Sequence, residues 1–169
     1  MFTLVIGGAA SGKSAWAEEH VLRLGGRRMY IAAMRPSGEE AQARVERHRR
    51  LRAGKGFETL ECYTDLASAQ VPPGGNVLLE DLGNLLANEM FDVRGGETAV
   101  LHGVEALLRS CANVTVVSNE IFSGGSAYGE DTLRYMYSLA RLNRALAARA
   151  ELVVEVVCGL PNVLKGELK

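Results

Sequence analysis

The 169-residue sequence predicts an α/β fold: a mostly parallel sheet with helices on both faces. Three observations lead there. Short apolar runs rich in β-branched residues alternate along the chain with helical patterns. Those runs are continuously apolar, not alternately polar, as strands covered on both faces must be. The first run also passes through a small-residue loop directly into a helix, the unit from which open parallel sheets are wound.

Taken in order, residues 3–6 form the first strand and 14–24 the first helix, stopped by Gly25 and Gly26. Residues 29–33 are the second strand, 39–52 a very polar helix, and 57–61 a short extended piece. The Pro72-Pro73-Gly74-Gly75 turn leads into a strand at 77–79. Helices follow at about 82–91 and 97–110, then a strand at 114–118, a long helix near 130–150 and a strand at 152–157. Crossovers between parallel strands are expected to be right-handed. The length suits one domain over residues 1–169, with a core that needs no staples. Residues 35–55, rich in Arg and Glu, are the least core-like stretch and are expected to form a solvated helical lid.

Composition narrows the function. Net charge is −1 and the isoelectric point about 6.3, so nothing draws the whole chain to nucleic acid or acidic lipid. The three cysteines, Cys62, Cys111 and Cys158, are scattered and lack C-x-x-C spacing, which suits reduced thiols in a cytoplasmic protein. There is no apolar run long enough for a membrane span. The chain opens with a strand pattern where a secretion signal would place a basic segment and an apolar stretch, so no such signal is expected.

Gly7-x-x-x-x-Gly12-Lys13-Ser14 matches the phosphate-loop pattern, and it does so between a strand and a helix. Here the glycines let the backbone of Gly7, Gly8, Ala9, Ala10, Ser11 and Gly12 approach a polyphosphate with its N–H groups inward. The helix N-terminus adds positive potential. Lys13 should bridge the terminal phosphates, and the Ser14 hydroxyl should ligate Mg²⁺. The expected architecture is therefore a single phosphate-loop NTPase-like (RecA-like) domain. Such a magnesium site also needs a carboxylate at a strand end. Glu80 and Asp81 follow the strand at 77–79; Glu80 is favoured for the metal and Asp81 for capping the next helix. Another strand ends in Ser118-Asn119-Glu120, where open α/β sheets bind ligands; helix capping is the other reading of Asn119.

Together these segments resemble the bifunctional adenosylcobinamide kinase / adenosylcobinamide-phosphate guanylyltransferase family of cobalamin biosynthesis. The likeness runs through "GGAASGKS", "YIAAM", "EEAQARVERHRR", "FETLE", "LLEDLGNLLANEMF", "VVSNE" and "NRALAARAELVVEVVCGLP", in order and over nearly the whole chain. Ala10 stands where the family usually has Arg, and Phe57 where it has Trp. Between residues 121 and 140 the chain diverges, with Tyr137 at a position the family gives to Asp. The resemblance implies nucleotide-dependent phosphorylation of adenosylcobinamide, followed by transfer of GMP from GTP to that phosphate through a histidine of the enzyme. It further implies ATP and GTP as substrates, Mg²⁺ as cofactor, a corrinoid partner and a homotrimer with the 35–55 arm near a neighbour. Glu61 and Thr59 belong to the resembling signature and could hold guanine, ribose or metal.

Three histidines compete for the nucleophile. His20 is expected to face solvent, and His102 has no cluster around it. His48 sits among Arg44, Arg47, Arg49 and Arg50, with Arg44 one helical turn away. Nearby guanidinium groups keep an imidazole neutral, as a nucleophile must be, and can neutralise phosphate. By resemblance, His48 occupies the position of the guanylylated histidine. Two other readings share the loop: a monofunctional small-molecule kinase, which needs no enzyme histidine, and a nucleotide-binding regulatory protein without turnover.

Overall fold

Phe2–Gly7, the first strand (β1), alternates its side chains between two cores, Leu4 to one and Val5 to the other. In this computed structural model, which describes residues 1–36, 38–125 and 127–168, β1 lies inside a seven-stranded sheet. The elements that follow are α1 (Lys13–Arg23), β2 (Arg28–Ala32), α2 (Gly38–Arg52), β3 (Phe57–Glu61), β4 (Asn76–Glu80) and α3 (Leu82–Asn88). Then come α4 (Gly96–Ser110), β5 (Asn113–Asn119), α5 (Glu130–Arg149), β6 (Leu152–Val157) and β7 (Leu160–Lys165). The strand order is β3-β2-β4-β5-β1-β6-β7, parallel except for the β6–β7 pair.

Helices cover both faces, as the continuous apolar runs require. On one face α1 sets Ala17 and Val21 against Val5, Tyr30, Leu78, Val117 and Val154. On the other, α3, α4 and α5 bring Leu85, Val104 and Leu142 against Leu4, Ile31, Leu79 and Val116. Fully burying one such side chain is worth about 1.5–3 kcal/mol. Helix α4 packs on the short 3-10 turn Leu66–Ser68 at Gly103, where a Cβ would lie 2.5 Å from that of Leu66.

Register matters most for function. Gly7 pairs with Asn119, and Ala32 pairs with both Glu61 and Glu80. The carboxyl ends of β2, β3 and β4 therefore finish level, those of β1 and β5 run two residues further, and the polar residues at these ends share one edge of the sheet.

Two elements depart from the sequence reading. The helix expected to run to residue 91 ends its α-helical part at Asn88 and continues as a π-helical turn, Glu89–Val93, closed by Arg94 at φ 61°. The segment after residue 157, given no strand in the sequence reading, turns at Cys158-Gly159 and runs back as β7, an antiparallel edge strand with all six residues exposed. It carries no core pattern, and its proline is tolerated because an edge strand leaves one side unpaired.

Candidate active site

β1 hands over to α1 through a loop with almost no slack. A Cβ on Gly7 would lie 2.5 Å from Ser11 Oγ and 2.8 Å from the Val156 carbonyl oxygen. Gly12 caps α1 at φ 91°, a left-handed conformation that suits glycine. Ala10 shares that region at φ 55°. The β6–β7 turn braces the loop: Gly159 N donates to Ser11 O at 2.7 Å. Lys13 is buried, and its Nζ donates to Gly8 O at 3.1 Å, across its own loop.

Opposite stands the end of β4. Ser14 Oγ donates to Glu80 Oε1, so the two expected metal-binding residues are in contact. Glu80 is buried, and its Oε2 has no hydrogen-bond partner. Burial pushes its carboxyl up to about 8; the Ser14 hydrogen bond opposes the rise and the Asp81 charge adds to it. Asp81 does cap α3, accepting from Asn84 N at 2.7 Å and Asn84 Nδ2 at 3.0 Å.

Helix α2 supplies the remaining wall. The His48 ring is half-buried and its Nδ1 has no partner. Burial holds its pKa below the ordinary histidine value, Arg52 and Arg47 lower it further, and Glu18 and Asp81 pull the other way. Beyond His48, Lys55 ties the end of this segment to buried Glu18 on α1 at 2.6 Å. Glu61, at the end of β3, accepts from Arg49 Nη2 and from the Tyr63 hydroxyl, each at 2.8 Å, and these bonds hold its carboxyl below the usual range. The side chain of Arg44 lies outside the described residues.

These groups meet in one cleft of about 560 Å³. Ala9, Ala10, Ser11, Gly12, Lys13 and Ser14 line it together with His48, Glu61, Thr59 and Glu80. Gly7 and Gly8, expected to border the nucleotide, are not among the residues that line the cleft. Asn119 also faces the cleft; it does not cap a helix, since α5 begins only at Glu130. Phe57 is outside: it packs edge-on against Tyr30, ring centroids 6.3 Å apart.

The other histidines are elsewhere. His20 does not face solvent, as the sequence suggested; it is buried, within 3.2 Å of Thr3 Oγ1 and stacked on Trp16 at 5.2 Å. It follows Ala17 by three positions and so shares the face that α1 turns to the sheet. His102 is exposed on α4, which packs on the opposite side of the sheet.

Sequence reasoning missed Arg52, Tyr30, Asn84 and Tyr135, all of which line the cleft. One signal was present for Arg52: it lies one helical turn after His48. A second cavity, about 520 Å³, is lined by Ile6, Phe122, Tyr137, Arg141 and Leu164, within and beside the divergent segment.

The sequence profile of the family described as "Cobinamide kinase / cobinamide phosphate guanyltransferase" matches residues 3–164. The "Bifunctional adenosylcobalamin biosynthesis protein CobP" of Pseudomonas aeruginosa is 35% identical, with 99% of each chain covered. The "Bifunctional adenosylcobalamin biosynthesis protein CobU" of Escherichia coli is 31% identical over 98% of this chain and 100% of its own. The RadB recombinase crystal structure is 18% identical, with a TM-score of 0.49 over 91% of this chain and 73% of its own. With a phosphate loop, a strand-end carboxylate and a histidine-bearing helix around one cleft, and with matches spanning nearly its full length, the chain belongs to the cobinamide kinase / cobinamide phosphate guanyltransferase family of cobalamin biosynthesis.

Proposed function

We propose that this one cleft serves both transfers of the family. In the first, ATP or GTP gives its γ-phosphoryl group to the hydroxyl of the aminopropanol arm of adenosylcobinamide. In the second, His48 attacks the α-phosphorus of GTP, pyrophosphate leaves, and the GMP held on the ring passes to adenosylcobinamide phosphate, giving adenosyl-GDP-cobinamide. The observation that carries this reading is His48, with a ring nitrogen free of partners, facing the same cavity as the phosphate loop. Covalent transfer divides one displacement into two easier ones.

Each chain group then has a task. Loop N–H groups and the α1 N-terminus cradle the β- and γ-phosphates. Lys13 turns its amine from Gly8 O to a phosphate oxygen. The same contacts stabilise pyrophosphate as it departs. Glu61 and Thr59, at the end of β3, border the nucleoside. Ser14 Oγ and the free Oε2 of Glu80 are hard oxygen donors suited to Mg²⁺. With these two protein oxygens, an ion would be held chiefly through phosphates and water. When bound, Mg²⁺ neutralises phosphate charge.

Incubation with adenosylcobinamide, GTP, ATP and Mg²⁺ tests the reading, with products resolved by mass. Cobinamide phosphate followed by GDP-cobinamide is expected. Phosphorylation alone would make the protein a monofunctional kinase, and binding without turnover a regulator. We further place the enzyme in the cytoplasm as a homotrimer. Leu160, Leu164 and Tyr137, exposed by 72%, 57% and 64%, offer apolar surface for a neighbouring copy. Light scattering at three times the chain mass is expected; a monomer would contradict it. No helix among the described residues is long and apolar enough to cross a membrane.

A further inference from the structure

Arg52 ends α2 one turn beyond His48, so the two side chains share a helix face. It is 7% exposed, yet it lines the cleft. Its guanidinium carbon lies 3.4 Å from the centroid of the Tyr30 ring, which Phe57 holds edge-on. This stack fixes the guanidinium plane. Its Nη1 is buried with no hydrogen-bond partner, and no carboxylate pairs with Arg52 among the described residues. Arg49 holds Glu61, Arg50 holds Glu46, and Arg47 is exposed. A buried, unpaired guanidinium N–H is unfavourable until an acceptor arrives. The acceptor that suits it is a phosphate oxygen, because the facing wall of the cleft is the phosphate loop.

We propose that Arg52 binds the phosphoryl group that His48 attacks, its free Nη1–H donating to a non-bridging oxygen of the α-phosphate of GTP. The inference rests on the reading of His48 given above. In the step itself, a ring nitrogen of His48 forms the N–P bond. The bond between the α-phosphorus and the bridging oxygen breaks, and pyrophosphate leaves with its electron pair. The proton on the other ring nitrogen passes to solvent, leaving a neutral ring bearing GMP. Negative charge grows on the α-phosphoryl oxygens during attack, and a donor already fixed on Tyr30 meets it without reorganising. Terminal phosphates fall to Lys13 and the loop; the α-phosphate falls to the residue on the nucleophile's own helix.

The test uses the full chain with Mg²⁺ and GTP, comparing the parent with Arg52→Gln and Arg52→Lys. Two quantities are read: the single-turnover rate of protein labelling from α-labelled GTP, and the unfolding midpoint with and without GTP. Arg52→Gln should label about 10²–10³-fold more slowly, the usual loss for one donor to developing charge. Its midpoint rise on adding GTP should shrink, while the midpoint without GTP stays near that of the parent. Arg52→Lys should recover part of the labelling rate. Parental labelling by Arg52→Gln overturns the proposal. So does a fall in the GTP-free midpoint with the GTP-induced rise intact, since that is a structural role. If the parent labels on a residue other than His48, the nucleophile assignment fails by itself; an undiminished GTP-induced rise in Arg52→Gln then overturns the phosphate contact, and a diminished one supports it.

Discussion

Replacing Glu80 by Gln should stabilise the nucleotide-free, metal-free protein at pH 8 while impairing catalysis. Glu80 is buried, and its carboxyl is raised from the ordinary 4.5 to about 8. The folded state therefore holds a proton that the unfolded chain has released. Between these two values the unfolded state binds fewer protons, so stability falls as pH rises from about 4.5 through about 8. Each tenfold difference in proton affinity is worth about 1.4 kcal/mol. Integrated between pH 5 and pH 8, the loss is on the order of 3 kcal/mol. Glutamine keeps the shape and an oxygen for Ser14 but carries no charge at either pH. His20 and His48, both held below their ordinary value, act in the opposite sense, and they cancel in the comparison of parent with variant. Urea unfolding of both proteins at the two pH values is the assay. A variant more stable than the parent by a margin that widens toward pH 8 is expected. A constant margin, or a variant less stable at pH 8, would refute the reasoning, because an ionised Glu80 would then be tolerated in its pocket.

Lys13→Ala should abolish both transfers, since a lost donor to developing charge costs about 10²–10³ in rate; steady-state turnover equal to the parent's would remove the loop from catalysis. Ser14→Ala should raise the Mg²⁺ concentration needed for half-maximal activity, and an unchanged metal titration would refute its role as a ligand. Gly103→Ala would set a Cβ 2.5 Å from that of Leu66. Overpacking of this kind costs about 1–3 kcal/mol, so the unfolding midpoint should fall with no change in the pattern of labelling from α-labelled GTP.

The strands β1, β2, β4, β5 and β6 were legible because each carries a mostly apolar run. β3, with Glu58, Thr59 and Glu61, was legible only as an extended piece, and register was not legible, since strands buried on both faces lack the alternation that sets it. The loop was legible because its glycines, Lys13 and Ser14 form one local pattern. β7 was not: with every residue exposed it has no period to read, and only pairing with β6 makes it a strand. The buried state of His20 depended on which face α1 turned inward, and its polar ring argued for the wrong one. Arg52 was hidden by composition. In a run of arginines, spacing from His48 puts Arg52 on the same helix face, but nothing marks it as the one that docks on Tyr30, a residue of another element, and so becomes buried. The meeting of His48 with the loop likewise needs the crossover from β2 through α2 to β3, which sequence spacing does not fix.

The central claim is that His48 carries the guanylyl group, and peptide mapping after incubation with α-labelled GTP and Mg²⁺ tests it most directly. The expected result is label on the peptide containing His48, labile to acid and stable to base as a phosphoramidate is, and lost in His48→Ala. Label on His20 or His102, or an active guanylyltransferase carrying no label, would contradict it.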